Sequence, residues 1–531
     1  MDTNEREWSL VPTRRRATAW PSYGRGFAGA LPPIDLQPGV LYRYVMGVDP
    51  KPKPMPQADV EGLGDSLAAL LRSGQNPQTV TEVLAALDAA KTLLTQKSYV
   101  ISEAGQIKAS QAVDLHRDAR FAITRQDSGG VGLLISTDAQ DPNGFFQIAA
   151  WDPKAELFNY YMRVPPTWVW AGNSYSALQD GSRGHGCFDS HVNGSVVMKE
   201  LKSPWSNWQS MKATMQFGAD DPIRKDPLFV NSIGAEDLEL TVRSLVARWT
   251  KARCARTVVD GQVLNARWLL RQLLTTTTIN LASTDVESSV ALQDGSSVEL
   301  RLPTGFWLNA DALLSILQIP ADFQLPTVSA AIYASAVRRY NFALQEGSFR
   351  QSGDTYFAFL VPEAALEDNE VVRQTVTTGV ITDRFAACAL MVDFPNPVFS
   401  PRRETLLKYV APNPRLSASG DGISGLVAQG IGTAAAQLPS ISPEAEFAAN
   451  WSVGTNWKTV FAQRIQNYMA AVNLRASSAD GFDEYVRLSE SRRRQFRKMK
   501  LNEFNLTLPT TNIPTDAPTL AMTESATVIS G

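Results

Sequence analysis

The stretch between residues 130 and 163 constrains the fold most. "GVGLLIST" (130–137) and "GFFQIAAW" (144–151) are short apolar runs, "DPKA" (152–155) is a turn, and "ELFNYYMR" (156–163) is a further run rich in aromatics. Runs of this length, broken by Gly, Asp and Pro, predict strands joined as a hairpin or meander. A chain with such a segment must build a sheet, and its other parts have to cover that sheet.

Those parts read as mostly helical. "ADVEGLGDSLAALLRSG" and "QTVTEVLAALDAAKTLLTQ" repeat apolar residues at three- and four-residue spacings, so an antiparallel helical hairpin is expected over 58–117. "GAEDLELTVRSLVARWTKARC" places Leu238, Val242, Leu245, Val246 and Trp249 on one stripe of a long helix. "QVLNARWLLRQLL", Val328 to Leu344, "TDRFAACALMV" and 455–473 are further helices, with Phe385, Cys388 and Met391 in the core. "SSVALQDGSSVELRLP" is read as a hairpin turning at Gln293 to Ser296, and "TYFAFLVP" as a strand. The expected class is α+β: an N-terminal helical hairpin, a β-rich meander and a larger mixed helical block.

At 531 residues the chain exceeds what one core usually supports. The expected division is a proline-rich irregular arm (1–57), the hairpin (58–117), the β-rich domain (118–230), a mixed α+β domain (231–416), a helical region (417–507) and a disordered or strapped-on Thr- and Pro-rich tail (508–531). The Gly-, Ser- and Ala-rich stretch bracketed by "SASGDGISG" (417–425) and "LPSISPEAE" is read as a linker or flexible loop.

Lys and Arg number 50 against 53 Asp and Glu, a balance with no field to draw the chain onto nucleic acid or an anionic membrane. The local runs Arg14 to Arg16 and Arg492 to Arg494 are read as solvated faces or partners of nearby acids. Arg402 and Arg403 follow the helix-starting pair Ser400–Pro401, where the helix dipole disfavours cations, so an anionic partner is expected for them. No apolar run is long enough to span a bilayer, and the opening "MDTNEREWS" lacks the apolar region of a secretion signal. Three widely spaced cysteines argue against a disulfide framework, and a cytoplasmic address is expected.

Chemistry concentrates in "SRGHGCFDSHVNGSVVMKELKSPWSNWQS" (182–210), which holds His185 and His191, two of the three histidines. Cys187, Ser190 and His191 make CxxSH, one atom type from the CxxCH that attaches c-type haem. With the strands and the "FNYY" aromatics this segment resembles a degenerate cytochrome c domain, of the type in which a β-sheet domain holds a c-type haem crosslinked to a lysine. The likeness covers about 80 residues and departs from the pattern at the second cysteine. It implies Cys187 as the attachment point, His191 and Met198 as iron ligands, and Lys199 or Lys202 as the extra lysine, in a working haem site or a haem-free descendant of one.

Two other readings use the same residues. His185, Asp189 and His191 form a two-histidine, one-carboxylate set that could hold a transition metal such as iron, and an extended backbone would project 185, 187, 189 and 191 to one side. Lys199 and Arg183 then serve as charged groups for substrate in an oxidoreductase-type enzyme. Alternatively the loop is structural: Asp189 and Asn193 cap turns, the histidines bond to carbonyls, and the glycines supply positive φ. Trp151, Trp168, Trp170, Trp205 and Trp208, with Tyr160, Tyr161 and Tyr175, crowd around it and fit either a sealed core or a small-molecule pocket. Ser174 and Ser182 lack the nucleophile-elbow motif, and His116 is the one histidine outside the cluster. A non-catalytic binding or assembly protein, homo-oligomeric through arm and tail, is the competing expectation.

Overall fold

A computed structural model of the chain describes residues 35–102, 105, 119–139, 141–198, 208–209, 214–346, 349–354, 358–499 and 509–531. His116, Lys199, Lys202, Trp205 and the Arg14 to Arg16 run lie outside the described residues.

The class is α+β, as expected. Strands β1 (Tyr42–Arg43), β2 (Lys53–Pro54), β3 (Thr95–Ser102), β4 (Ala119–Asp127), β5 (Gly130–Asp138), β6 (Phe146–Asp152), β7 (Leu157–Val164) and β8 (Thr167–Asn173) form one eight-stranded sheet. β3 to β8 follow one another as an antiparallel meander, β1 adds parallel to β8, and β2 pairs with β1 at the edge. The expected runs are β5, β6 and β7; β8, in "TWVWAGN", lacks the polar alternation that marks a half-exposed strand because it is buried on both faces.

The 58–117 segment is corrected. Among its described residues the helices are Gln57–Gly62, Ser66–Arg72 and Val80–Ala89, and β3 begins at Thr95. The first expected helix breaks at Gly64, whose amide donates to Asp152 at 2.7 Å, and restarts at Asp65, which caps the next helix by accepting from the Ala68 amide at 2.8 Å.

Pairing register assigns the sheet's two faces, since opposed residues share a side. Ala149 faces Tyr160, Leu134 faces Ala149 and Ala122 faces Ser136, so these residues look one way, together with Ile101, Arg120 and Gln147. The alternate set, Ile123, Leu133, Ile135, Ile148 and Tyr161, looks the other way, and all five are buried. Helices Ser66–Arg72 and Val80–Ala89 pack on that second face.

A second core spans Cys254 to Ala526 and is mainly helical. The long helix Ala235–Thr257 belongs to both cores, with Trp249 in the first and Cys254 in the second. Three expectations in this half change. Residues Ser288–Ala291 are helical and Glu299–Arg301 pairs with Thr327–Ser329, so the Gln293 to Ser296 turn joins no hairpin. The terminal segment is ordered: Leu520–Met522 pairs with Val528–Ser530, and Asn396 clamps Met522 through both its amide nitrogen and its carbonyl at 2.9 Å. Beyond the glycine turn at 420–422, the expected linker gives way to the helix Ser424–Ala435.

Arg492 and Arg493 are buried, not solvated. Arg493 pairs with Glu490 at 3.0 Å, and Arg492 donates to the carbonyls of Phe306 and Pro395. Arg402 has the expected anionic partner, Glu446 at 2.9 Å, whereas buried Arg403 donates to the Pro397 carbonyl at 2.9 Å. Among the described residues no helix is long and apolar enough to cross a membrane.

Candidate functional site

The segment after β8 folds by its glycines. Gly184, Gly186 and Gly194 have φ of +76°, +57° and +76°, and a Cβ on Gly194 would meet the Ser174 carbonyl at 2.3 Å. Between them Gly186–Asp189 makes one 3₁₀ turn, and the amides of Phe188, His191 and Gly194 bond back to His185, Cys187 and His191. The segment is therefore curled, so the shared side that an extended chain would give residues 185 to 191 does not exist.

Both ends of this curl are tied to the second core through one residue. Arg183 donates to the Thr277 carbonyl at 2.8 Å, and Asn193 donates to the Thr277 hydroxyl at 3.0 Å. Buried Asp368 accepts from Asn193, Gln272 and the Thr277 hydroxyl at 3.0, 3.2 and 2.6 Å, and Trp249 donates to the Asn193 carbonyl at 3.0 Å. Arg183 is thus a tie between the halves and is outside the lining of the cavity described next, and burial lowers its pKa.

The curl sets Cys187, Ser190, His191 and Met198 over the meander face, with Leu238 and Val242 of the long helix beside them. Together with Ala149 and Tyr160 beneath, they line a partly open cavity of about 140 Å³. His191 lies against the Tyr160 ring at 5.0 Å between centroids, and its Nδ1 stands 2.9 Å from the Ser195 carbonyl. That contact is the backbone bond that the structural reading expected of a histidine.

Comparison with protein-family models, with curated proteins and with solved structures finds no match to this chain. Its site has to be read from its own geometry.

The two proposed ligand sets fare differently. His185 is exposed and packs over Gly47, whereas His191 faces the cavity, and Asp189 is outside the cavity lining. Among the described residues no group of three His, Cys, Asp or Glu side chains is placed to hold a metal ion, so His185, Asp189 and His191 do not form the expected set. The positive-φ glycines are the physical reason, because they turn the alternate residues away from one another. Cys187, His191 and Met198 line one space. That space does not fit a haem, since about 140 Å³ is below the roughly 300–1,000 Å³ of pockets for drug-sized ligands.

Burial decides the protonation of the two acidic groups here. It pushes the Cys187 thiol well above its usual range, and the Asp189 carboxylate adds to the shift. The Tyr160 hydroxyl is raised in the same way, first by burial and then by Cys187. Both keep their protons at neutral pH, so Cys187 is a poor nucleophile. The arrangement can grip a neutral molecule and donate hydrogen bonds to it.

Sequence reasoning named Cys187, His191 and Met198 but missed Gln147 and the central place of Tyr160. One signal was present: Gln147 is a lone polar residue inside the apolar run "GFFQIAAW". Of the crowded aromatics, Tyr160 and Trp208 line the cavity with Tyr160 on its face of the sheet, Tyr161 directs its hydroxyl to Asp65 on the other face, and the Trp168 indole donates to the Pro77 carbonyl at 2.8 Å.

Proposed function

We propose that the chain is a small-molecule-binding protein whose site is the cavity between the meander face and the 186–198 curl, and whose ligand is an uncharged molecule of about ring size. The observation that carries this reading is the cavity itself, about 140 Å³ and walled largely by apolar side chains. An engineered apolar cavity of about 150 Å³ takes up benzene, so a space of this size has a defined class of occupant. Protonated Cys187 and Tyr160 favour binding over nucleophilic chemistry. Oxidoreductase chemistry through His185, Asp189 and His191 draws no support from side chains that face apart.

Thermal unfolding with and without dissolved benzene tests the reading. A ligand that binds only the folded state raises the midpoint by mass action, and the wild-type protein is expected to show that rise. Ala149→Leu, which fills the cavity floor, should remove it. A wild-type midpoint unmoved by benzene at its solubility limit would eliminate the proposal.

A further inference from the structure

Two polar groups of the cavity wall hold donors with no acceptor among the described residues. The Tyr160 hydroxyl and the Gln147 amide nitrogen, Nε2, are both buried, and neither has a hydrogen-bond partner among the described residues. Tyr160 is 2% exposed and sits at the centre of the meander. Leaving a buried donor unmade costs roughly 1–3 kcal/mol, so two such groups beside one space is a costly arrangement unless something occupies that space.

The register brings the two together. Tyr160 on β7 faces Ala149 on β6, and Gln147 lies two residues from Ala149 on the same side of the same strand. They are diagonal neighbours, a relation that places Cβ atoms within roughly 7–8 Å and leaves side chains of this length free to converge on one atom. A carbonyl oxygen carries two lone pairs and accepts two such bonds at once.

We infer that the occupant of this cavity is an uncharged ring bearing a carbonyl oxygen, held by donation from Tyr160 Oη and Gln147 Nε2. The inference rests on the cavity being a ligand site, as proposed above. A carboxylate is disfavoured because burying an anion demands a compensating cation: Arg120, the arginine of the cavity wall, is already engaged within the protein, and the Asp189 carboxylate works against negative charge at Cys187. A plain hydrocarbon would fill the volume and leave both donors unmade.

Cyclohexanone and methylenecyclohexane separate these cases, since they share shape and differ in the one acceptor atom. Dissociation constants for both would be measured on the wild type, Tyr160→Phe and Gln147→Leu by ligand-induced shifts in the protein's nuclear magnetic resonance spectrum. Wild-type protein is expected to prefer the ketone by roughly tenfold, and each variant to lose most of that preference. Equal affinity of the wild type for both compounds would overturn the inference while the cavity remains a binding site. A preference that survives in both variants would overturn it too, by placing the acceptor elsewhere. Binding of neither compound would remove the cavity reading and the inference with it.

Discussion

Tyr160 and Tyr161 are adjacent on β7, both fully buried, and they point to opposite faces of the same sheet. On the helix-covered face, Tyr161 donates to Asp65 at 2.6 Å, and Asp65 also accepts from Asn159 at 2.9 Å and from the Ala68 amide at 2.8 Å. On the other face the Tyr160 hydroxyl meets a cavity and no partner among the described residues. The two tyrosines have the same chemistry and differ in what covers them. Tyr161 has its acceptor within the chain, and Tyr160 has none among the described residues.

The difference breaks most readily at Asp65. Replacing it with Ala removes a helix N-cap and leaves Tyr161 and Asn159 without their acceptor, which should cost about 2–4 kcal/mol. The midpoint of urea unfolding reads this directly, and a loss under about 1 kcal/mol would mean that the helices are held to this face by apolar packing alone. Asp65 also gives a pH signature. Burial raises its pKa in the folded state, against the pull of its hydrogen bonds. The folded protein therefore holds this proton at a pH where the unfolded chain, titrating near about 3.9, has released it. Its contribution to stability falls as pH rises from about 4 through the raised folded value. Wild type should lose ground to Asp65→Asn across that window, and a constant gap between them would contradict the assigned shift.

Tyr161→Phe sharpens the comparison with a smaller change. The ring stays, the Asp65 bond goes, and Asp65 is left with two donors in place of three, so a loss of about 1–3 kcal/mol is expected in the same urea titration. Stability unchanged by this substitution would make the two tyrosines equivalent and dissolve the contrast.

How much of this was legible in the sequence follows from what decides each feature. β5, β6 and β7 could be read because short apolar runs ended in Gly, Asp and Pro, and the long helix because its stripe of five apolar residues was in phase. The terminal hairpin could not be read, because its order comes from Asn396 and Tyr485 reaching it from over 40 residues away along the chain. The break at Gly64 depends in the same way on Asp152. At the site, the rarity of Cys and His drew attention to 184–191, and Cys187 and His191 do reach the cavity. Their neighbours His185 and Asp189 do not, since glycine φ values set their directions, and composition says nothing of those. That Gln147 and Tyr160 share one face of the sheet became visible only through strand register, which a single strand does not carry.

Tyr160→Phe is the smallest expected effect and the most discriminating. It deletes one oxygen that makes no hydrogen bond within the described residues, so nothing is left unpaired, and the cost of keeping a buried hydroxyl unbonded disappears. Stability should stay within about 0.5 kcal/mol of wild type or rise slightly. Because Tyr160 and Tyr161 face opposite sides and share no hydrogen-bond partner, the double variant should lose what Tyr161→Phe loses and little more. A cost for Tyr160→Phe as large as for Tyr161→Phe would mean that the hydroxyl already has a partner in the free protein, such as an ordered water. The ligand's carbonyl would then have to displace that water, and the tenfold preference for cyclohexanone should shrink in step.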